Sequence, residues 1–151
     1  MFTGLVENTA HVIALDLAAL LSAAAPLPDI AQTQNQILLD VGCGPGWYHP
    51  QLATHCRELW AVDLSAAMLA QAQTLGCASR YNQADVCQIP LPDNSVDVII
   101  SNCVINLAGD KEQVLREAAR VLRPGGRFVL TTPNVLSLTS RVRTLLAGFP
   151  E

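Results

Sequence analysis

A short apolar run, QILLDV at residues 36–41, ends in an acid and is followed at once by glycines at 42, 44 and 46. It is too short for an amphipathic helix and does not alternate as a strand with one wet face would. It reads as a strand buried on both faces, which calls for layers above and below a parallel sheet. The rest of the chain supports that reading. ELWAVD (58–63), SRYNQAD (79–85), VDVIIS (96–101, after the turn LPDNS) and RFVLTT (127–132, after the turn RPGG) follow as strands. Helical spacing fills the intervals. One helix should run from Gly46 through Leu52, Ala53 and Cys56. A second is capped by Ser65, turns Met68, Leu69, Ala72 and Leu75 inward and stops at Gly76. A third is capped by Asp110 and carries Val114, Leu115, Ala118, Val121 and Leu122 on one face. Two flanking helices are also expected. One lies within residues 1–30, capped by Asn8, with Ile13, Leu17, Leu20, Leu21 and Ala24 on one face. The other lies within 133–151, with Leu138, Val142, Leu145 and Leu146 before Gly148.

With 151 residues, the chain suits a single domain, 1–151, with a core at 36–132. Half of the residues are apolar and 15% are charged, which marks a globular protein. A net charge of −4 without a dense Lys/Arg cluster argues against nucleic acid as a partner. The most hydrophobic window, VIALDLAALLSAAA, is interrupted by Asp16, is too short to span a bilayer and follows no basic segment, so the expected location is cytoplasmic, with no membrane partner. Five cysteines (Cys43, Cys56, Cys77, Cys87 and Cys103) form an odd set without a C-x-x-C pair. This argues against a disulfide framework and against a thiolate zinc site, and no metal is expected.

Ligands of open parallel sheets bind beyond the carboxyl ends of the strands. Asp40 lies at one such end, and Gly42, Gly44 and Gly46 let the backbone turn and approach a ligand. The spacing is G-x-G-x-G, which disfavours a nicotinamide dinucleotide. Asp63 ends the second strand, where an acid can take ribose hydroxyls. Asp85 follows the third strand and can accept from an adenine amino group. Asn102 follows the fourth and offers both a donor and an acceptor. Carboxylates without a nearby basic residue suit a ligand with little phosphate, such as one bearing a sulfonium or an amino group.

LLDVGCGPG, AVDLSAAML, the Ala84–Asp85 pair, LPDNSVDVIISN and EAARVLRPGGRFVLTT occur in an order and spacing that resemble the class I S-adenosylmethionine-dependent methyltransferases. The resemblance implies a Rossmann-like three-layer sandwich with a mainly parallel sheet of about five strands in the order 3-2-1-4-5. It implies S-adenosyl-L-methionine as cofactor. Asp40, Gly42, Cys43, Gly44 and Gly46 would surround its methionine part. Asp63 would take the ribose, and Leu64 and Met68 would flank the adenine. Asp85 and Val86 would meet the adenine edge, and Asn102 the methionine end.

The implied activity is methyl transfer to a small molecule or a carrier-bound acid. Holding nucleophile and methyl in line would be the protein's main task, with a base needed only for a protonated nucleophile. His49 and Cys103 are the candidate catalytic residues. An exposed helical histidine and a packed cysteine are the plainer readings of the two. LLDVGCGPGW with AVDLSAAMLAQA resembles the malonyl-carrier-protein methyltransferases of biotin synthesis. VDVIISNCVINLAGDKEQVLREAARVLRPGGR resembles arsenite methyltransferases, which implies a metalloid-binding thiolate at Cys103. That family uses further cysteines before the glycine loop and beyond the fifth strand, and none stands at either place here.

The family's last two strands are not represented, which leaves a cofactor-binding module without turnover as the alternative. The strand at 127–132 should then be an open edge, covered by residues 133–148 or by a second subunit in a homodimer. MFTGLVENTAHVIALD is similar to the opening of riboflavin synthase, where the related segment forms a strand rather than a helix.

Overall fold

The computed structural model describes residues 11–14 and 34–131. Six strands run through them: β1 (His11–Ala14), β2 (Ile37–Val41), β3 (Glu58–Asp63), β4 (Arg80–Gln83), β5 (Val96–Asn102) and β6 (Leu122–Thr131). They form one sheet in the order β1-β6-β5-β2-β3-β4, with every neighbouring pair parallel. From β2 to β6 this is the expected 3-2-1-4-5 order. All five residues of β2 are buried, as its continuous apolar run demands. Ile37, Leu39 and Val41 point to one face, where they meet Val62, Ile99 and Phe128. Leu38 points to the other, with Leu59, Val98 and Ile100.

Among the described residues three α-helices complete the layers: α1 (His49–Leu52), α2 (Ala66–Thr74) and α3 (Lys111–Val121). The first core holds Val114, Ala118 and Val121 of α3, and the second holds Leu52 of α1. The side chain of Asp110 caps α3 by accepting from Gln113 N–H at 2.9 Å. Ser65 caps α2 through Met68 N–H, and Gly76 ends it at φ +64°.

On α2 Leu69 and Ala72 are buried, whereas Met68 and Leu75, expected inward, are exposed. The course of the chain departs from the sequence reading in three places. α1 ends at Leu52 instead of running through Cys56. The Thr54 hydroxyl donates to the Gln51 carbonyl at 2.7 Å, and Arg57 N–H donates to the Gln36 carbonyl at 2.9 Å, which leads the chain into β3. RPGG is a bulge within β6 rather than the turn before it. Val96 pairs with Leu122 and Val98 with Arg127, so Arg123–Gly126 loops out between them.

The third departure is at the sheet edge. Residues 11–14 form a strand, where a helix through Ile13 was expected. β1 pairs His11 with Arg127 and Ala14 with Leu130, covering the edge of β6 assigned above to residues 133–148 or to a second subunit. Val12 and Ile13 favour extended backbone, and an open edge supplies the hydrogen-bond partners that make it worthwhile. The rest of the 1–30 segment and the helix expected within 133–151 lie outside the described residues. Among the described residues no helix is long and apolar enough to cross a membrane.

Candidate functional site

The carboxyl ends of β2, β3, β4 and β5 open onto one cavity of about 470 Å³. Gly42, Asp63, Leu64, Asp85, Val86 and Asn102, all expected from the sequence, lie on its wall. Asp40, Cys43, Gly44, Gly46 and Met68, expected there too, do not. The sequence reading missed Cys87 and the wall from Val104 to Gly109, which contains a single 3-10 turn at Ile105–Leu107. Asn102 already marked the start of that edge, but a turn this short has no periodicity to reveal it.

The glycine loop is held by its own backbone. Gly42 and Cys43 N–H both donate to the Val62 carbonyl, at 2.7 and 3.1 Å, and Gly46 N–H donates to Cys43 O at 3.1 Å. Gly44 N–H donates to Asp63 Oδ2 at 2.8 Å. Pro45 has no N–H. Every amide from Gly42 to Gly46 is therefore engaged, so this loop is no cradle for a phosphate, which would need free N–H groups. Gly42 is bare for a packing reason: at φ +71°, a Cβ there would lie 2.1 Å from Val104 Cγ2.

Asp63 also accepts from Ser65 N–H through Oδ1 at 2.8 Å. Each carboxylate oxygen has two acceptor sites, so the side chain keeps capacity for ligand hydroxyls. Asp85 is exposed and accepts from Cys87 N–H at 2.8 Å. Leu64 and Leu107, 65% and 85% exposed, offer apolar surface to the cavity.

His49 is fully buried, in contrast to the exposed helical histidine expected. Its Nε2 lies 3.2 Å from Asp40 Oδ2, and the ring fills the space beside Gly46. In this position it cannot touch a substrate. Burial pushes the Asp40 carboxyl up, the His49 bond and charge pull it down, and the Asp63 charge adds to the rise. Burial first, then Asp40 and Asp63, push the Cys43 thiol up to about 12, so it is a protonated, packed group rather than a nucleophile.

Cys103, in contrast to the packed cysteine expected, is exposed on the cavity wall at φ +60°, its thiol 3.4 Å from Asn102 Oδ1. Cys87 shares the wall, its thiol pushed up by burial and by Asp85 and Asp110. The described cysteines are all free. Among the described residues no group of three or more His, Cys, Asp or Glu is placed to hold a metal ion.

Residues 39–130 match the methyltransferase domain family. The chain belongs to this family. Its relatives include the malonyl-[acyl-carrier protein] O-methyltransferase of Erwinia billingiae, 39% identical over 105 residues, or 70% of this chain and 42% of that protein. A probable S-adenosylmethionine-dependent methyltransferase of Mycobacterium tuberculosis is 34% identical over 68% of this chain and 37% of its own length. The chain thus spans about two fifths of the length of these curated relatives. A solved S-adenosylmethionine-dependent methyltransferase from Mesorhizobium loti aligns with a TM-score of 0.62 and 31% identity over 66% of this chain and 48% of that one. One from Aquifex aeolicus aligns at 0.58 and 28% over 63% and 55%. Family, fold and relatives are those of the class I S-adenosylmethionine-dependent methyltransferases.

The site of this methyltransferase domain fits the family's cofactor. Its glycine loop has no amide left for a phosphate. The Asp63 charge adds to the cost of ionising Asp40, a repulsion that a cationic sulfonium relieves. Exposed Leu64 and Leu107 give an adenine ring apolar surface to cover.

Proposed function

We propose that this chain forms the cofactor-binding part of a methyltransferase that esterifies a carboxylate, on a small acid or on an acid carried by a protein. One observation carries the reading: the titratable side chains on the described cavity wall are Asp63, Asp85, Cys87 and Cys103. Asp63 is fixed by two backbone amides, and the Cys87 thiol is pushed up. A wall of this kind suits an acceptor that needs no deprotonation. A carboxylate is such an acceptor, because it is already a nucleophile at neutral pH. The similarity to malonyl-[acyl-carrier protein] O-methyltransferases supports the same class.

When bound, the cofactor supplies an electrophilic methyl group on a sulfonium. Asp63 would hold the ribose, Asp85 and Val86 the adenine edge, Leu64 and Leu107 its faces, and Asn102 the methionine end. The chain's contribution is then binding and alignment, which can supply a large share of the acceleration.

Calorimetry with S-adenosylmethionine and with NAD tests the site, and mass spectrometry of candidate acids tests turnover. Binding of the first ligand alone, with a methyl ester formed on malonyl-carrier protein or a free acid, is the expected result. Binding without ester on any acceptor favours the non-catalytic module. Binding of NAD alone overturns the reading.

A further inference from the structure

Behind the glycine loop lies a polar pair whose histidine the methyl-transfer reading leaves without a role. His49 has no exposed surface and Asp40 has 5%. Their side chains meet at 3.2 Å through Nε2 and Oδ2, nine residues apart in sequence. The other ring nitrogen, Nδ1, is buried and has no hydrogen-bond partner. It faces Gly46, where a Cβ would come within 2.7 Å of it. The main chain makes the same link, His49 N–H donating to the Gly46 carbonyl at 2.9 Å.

The partnerless Nδ1 assigns the tautomer. An imidazolium, or a neutral ring accepting a proton from Asp40, would put an N–H on Nδ1 with no acceptor. A neutral ring with its proton on Nε2 leaves only an unused lone pair. A buried N–H without a partner is the rarer and costlier of the two. The assignment therefore has Nε2–H donating to an ionised Asp40, and the pair carries one net negative charge.

Several titratable groups face this pair. Asp63 stands at the end of β3, and Cys43 lies in the loop. Tyr81 of β4 has its ring 6.1 Å from the imidazole. From α2, the apolar Ala72 packs against Gly46 beside the ring. None of these is a cation.

We propose that His49 is a positioning residue for the cofactor: its Nε2–H tautomer keeps Asp40 ionised beneath the glycine loop, and its ring sets Gly46 in place. The loop then presents negative charge to the sulfonium. The inference rests on the reading that the cavity holds S-adenosylmethionine.

The test compares the full chain's affinity for S-adenosylmethionine with that for S-adenosylhomocysteine, which lacks the sulfonium charge, across mildly acid to mildly alkaline pH. Asp40→Asn keeps an acceptor for His49 and removes the charge. It should weaken S-adenosylmethionine about tenfold and S-adenosylhomocysteine less than about twofold, the size of one partly screened charge interaction. His49→Leu should do the same, with the loss growing as pH falls. His49→Gln, whose amide can donate to Asp40, should stay within about threefold of the parent for both ligands. Parallel losses of the two ligands in Asp40→Asn, or a His49→Gln variant as weak as His49→Leu, overturn the proposal. If His49→Leu does not fold, Asp40→Asn decides. A parent chain that binds neither ligand overturns the cofactor reading, and the proposal with it.

Discussion

The backbone N–H of Gly44 donates to Asp63 Oδ2 at 2.8 Å, joining the loop after β2 to the acid that ends β3 across 19 residues. The same carboxylate receives Ser65 N–H at the start of α2. Asp63 thus orders the loop before any ligand arrives. Asp63→Ala leaves two partly buried amides without acceptors. It should cost about 2–4 kcal/mol of stability, at about 1–2 kcal/mol for each amide. It should also weaken S-adenosylmethionine by more than tenfold. Asp63→Asn retains one acceptor oxygen and should fall between. Urea unfolding and calorimetry on the two variants read both effects; an Ala variant as stable as the parent would refute the ordering role.

Gly42 and Gly44 should respond differently to a methyl group. At Gly42 the added Cβ collides with Val104 at 2.1 Å and keeps φ at +71°. At Gly44 it meets nothing within 4 Å, and only the φ of +54° opposes it. Gly44→Ala should therefore cost about 1–2 kcal/mol. Gly42→Ala should cost about 3 kcal/mol or more, since overpacking adds to the backbone strain. Val104→Ala should recover part of the Gly42→Ala loss, and a double-mutant cycle gives the coupling directly. Additive effects would mean that Val104 is not what keeps Gly42 bare.

These contrasts show what the sequence could and could not convey. β2, β3 and β5 were legible because each is a short apolar run ended by a polar residue, a purely local signal. Asp63 and Asp85 were legible because strand ends locate them. The burial of His49 was not, because it depends on Asp40, nine residues earlier, and on a glycine whose missing Cβ makes room for the ring. β1 was misread because Ile13 and Leu17 keep helical spacing, while the strand is selected by β6, more than a hundred residues later.

Arg120 secures the approach to the cavity wall. Its guanidinium donates to both Glu117 carboxylate oxygens at 2.9 Å, to the Ile89 and Leu91 carbonyls at 2.8 Å and to Asp93 at 2.7 Å. Glu117 also accepts from Ile89 N–H at 2.9 Å. The segment between β4 and β5, which carries Asp85 and Cys87, is thus tied to α3. Arg120→Met should cost about 2 kcal/mol, below the range for a fully buried pair because its side chain is 32% exposed. The Arg120 bond, followed by the Ile89 amide, holds the Glu117 carboxyl below its ordinary range against the opposing effect of burial. A lowered acid contributes stability that is present above its unfolded value and lost as pH falls through its folded value. Stability of the parent chain should therefore fall on the acid side of the carboxylate range, with a shallower fall in Arg120→Met. Denaturant midpoints across acid pH check the difference; equal slopes would assign the acid loss elsewhere.

Asp40 should act on stability in the opposite sense. Burial raises its carboxyl in the folded chain, although His49 pulls it partly back. The unfolded chain ionises it more readily, so the folded state binds this proton more tightly. A raised acid contributes stability that is present below its unfolded value and lost as pH rises through its folded value. Above its folded value the carboxylate carries the cost of a buried charge, and Asp40→Asn removes that cost while leaving an acceptor for His49. The stability difference, parent minus Asp40→Asn, should grow as pH falls through the carboxylate range. The Arg120→Met comparison should show the reverse, the parent's advantage shrinking over the same interval. Denaturant titrations of the three chains in one buffer series measure both slopes. A parent that loses ground to Asp40→Asn on acidification would show that the His49 bond outweighs desolvation and that Asp40 is lowered, not raised, by folding.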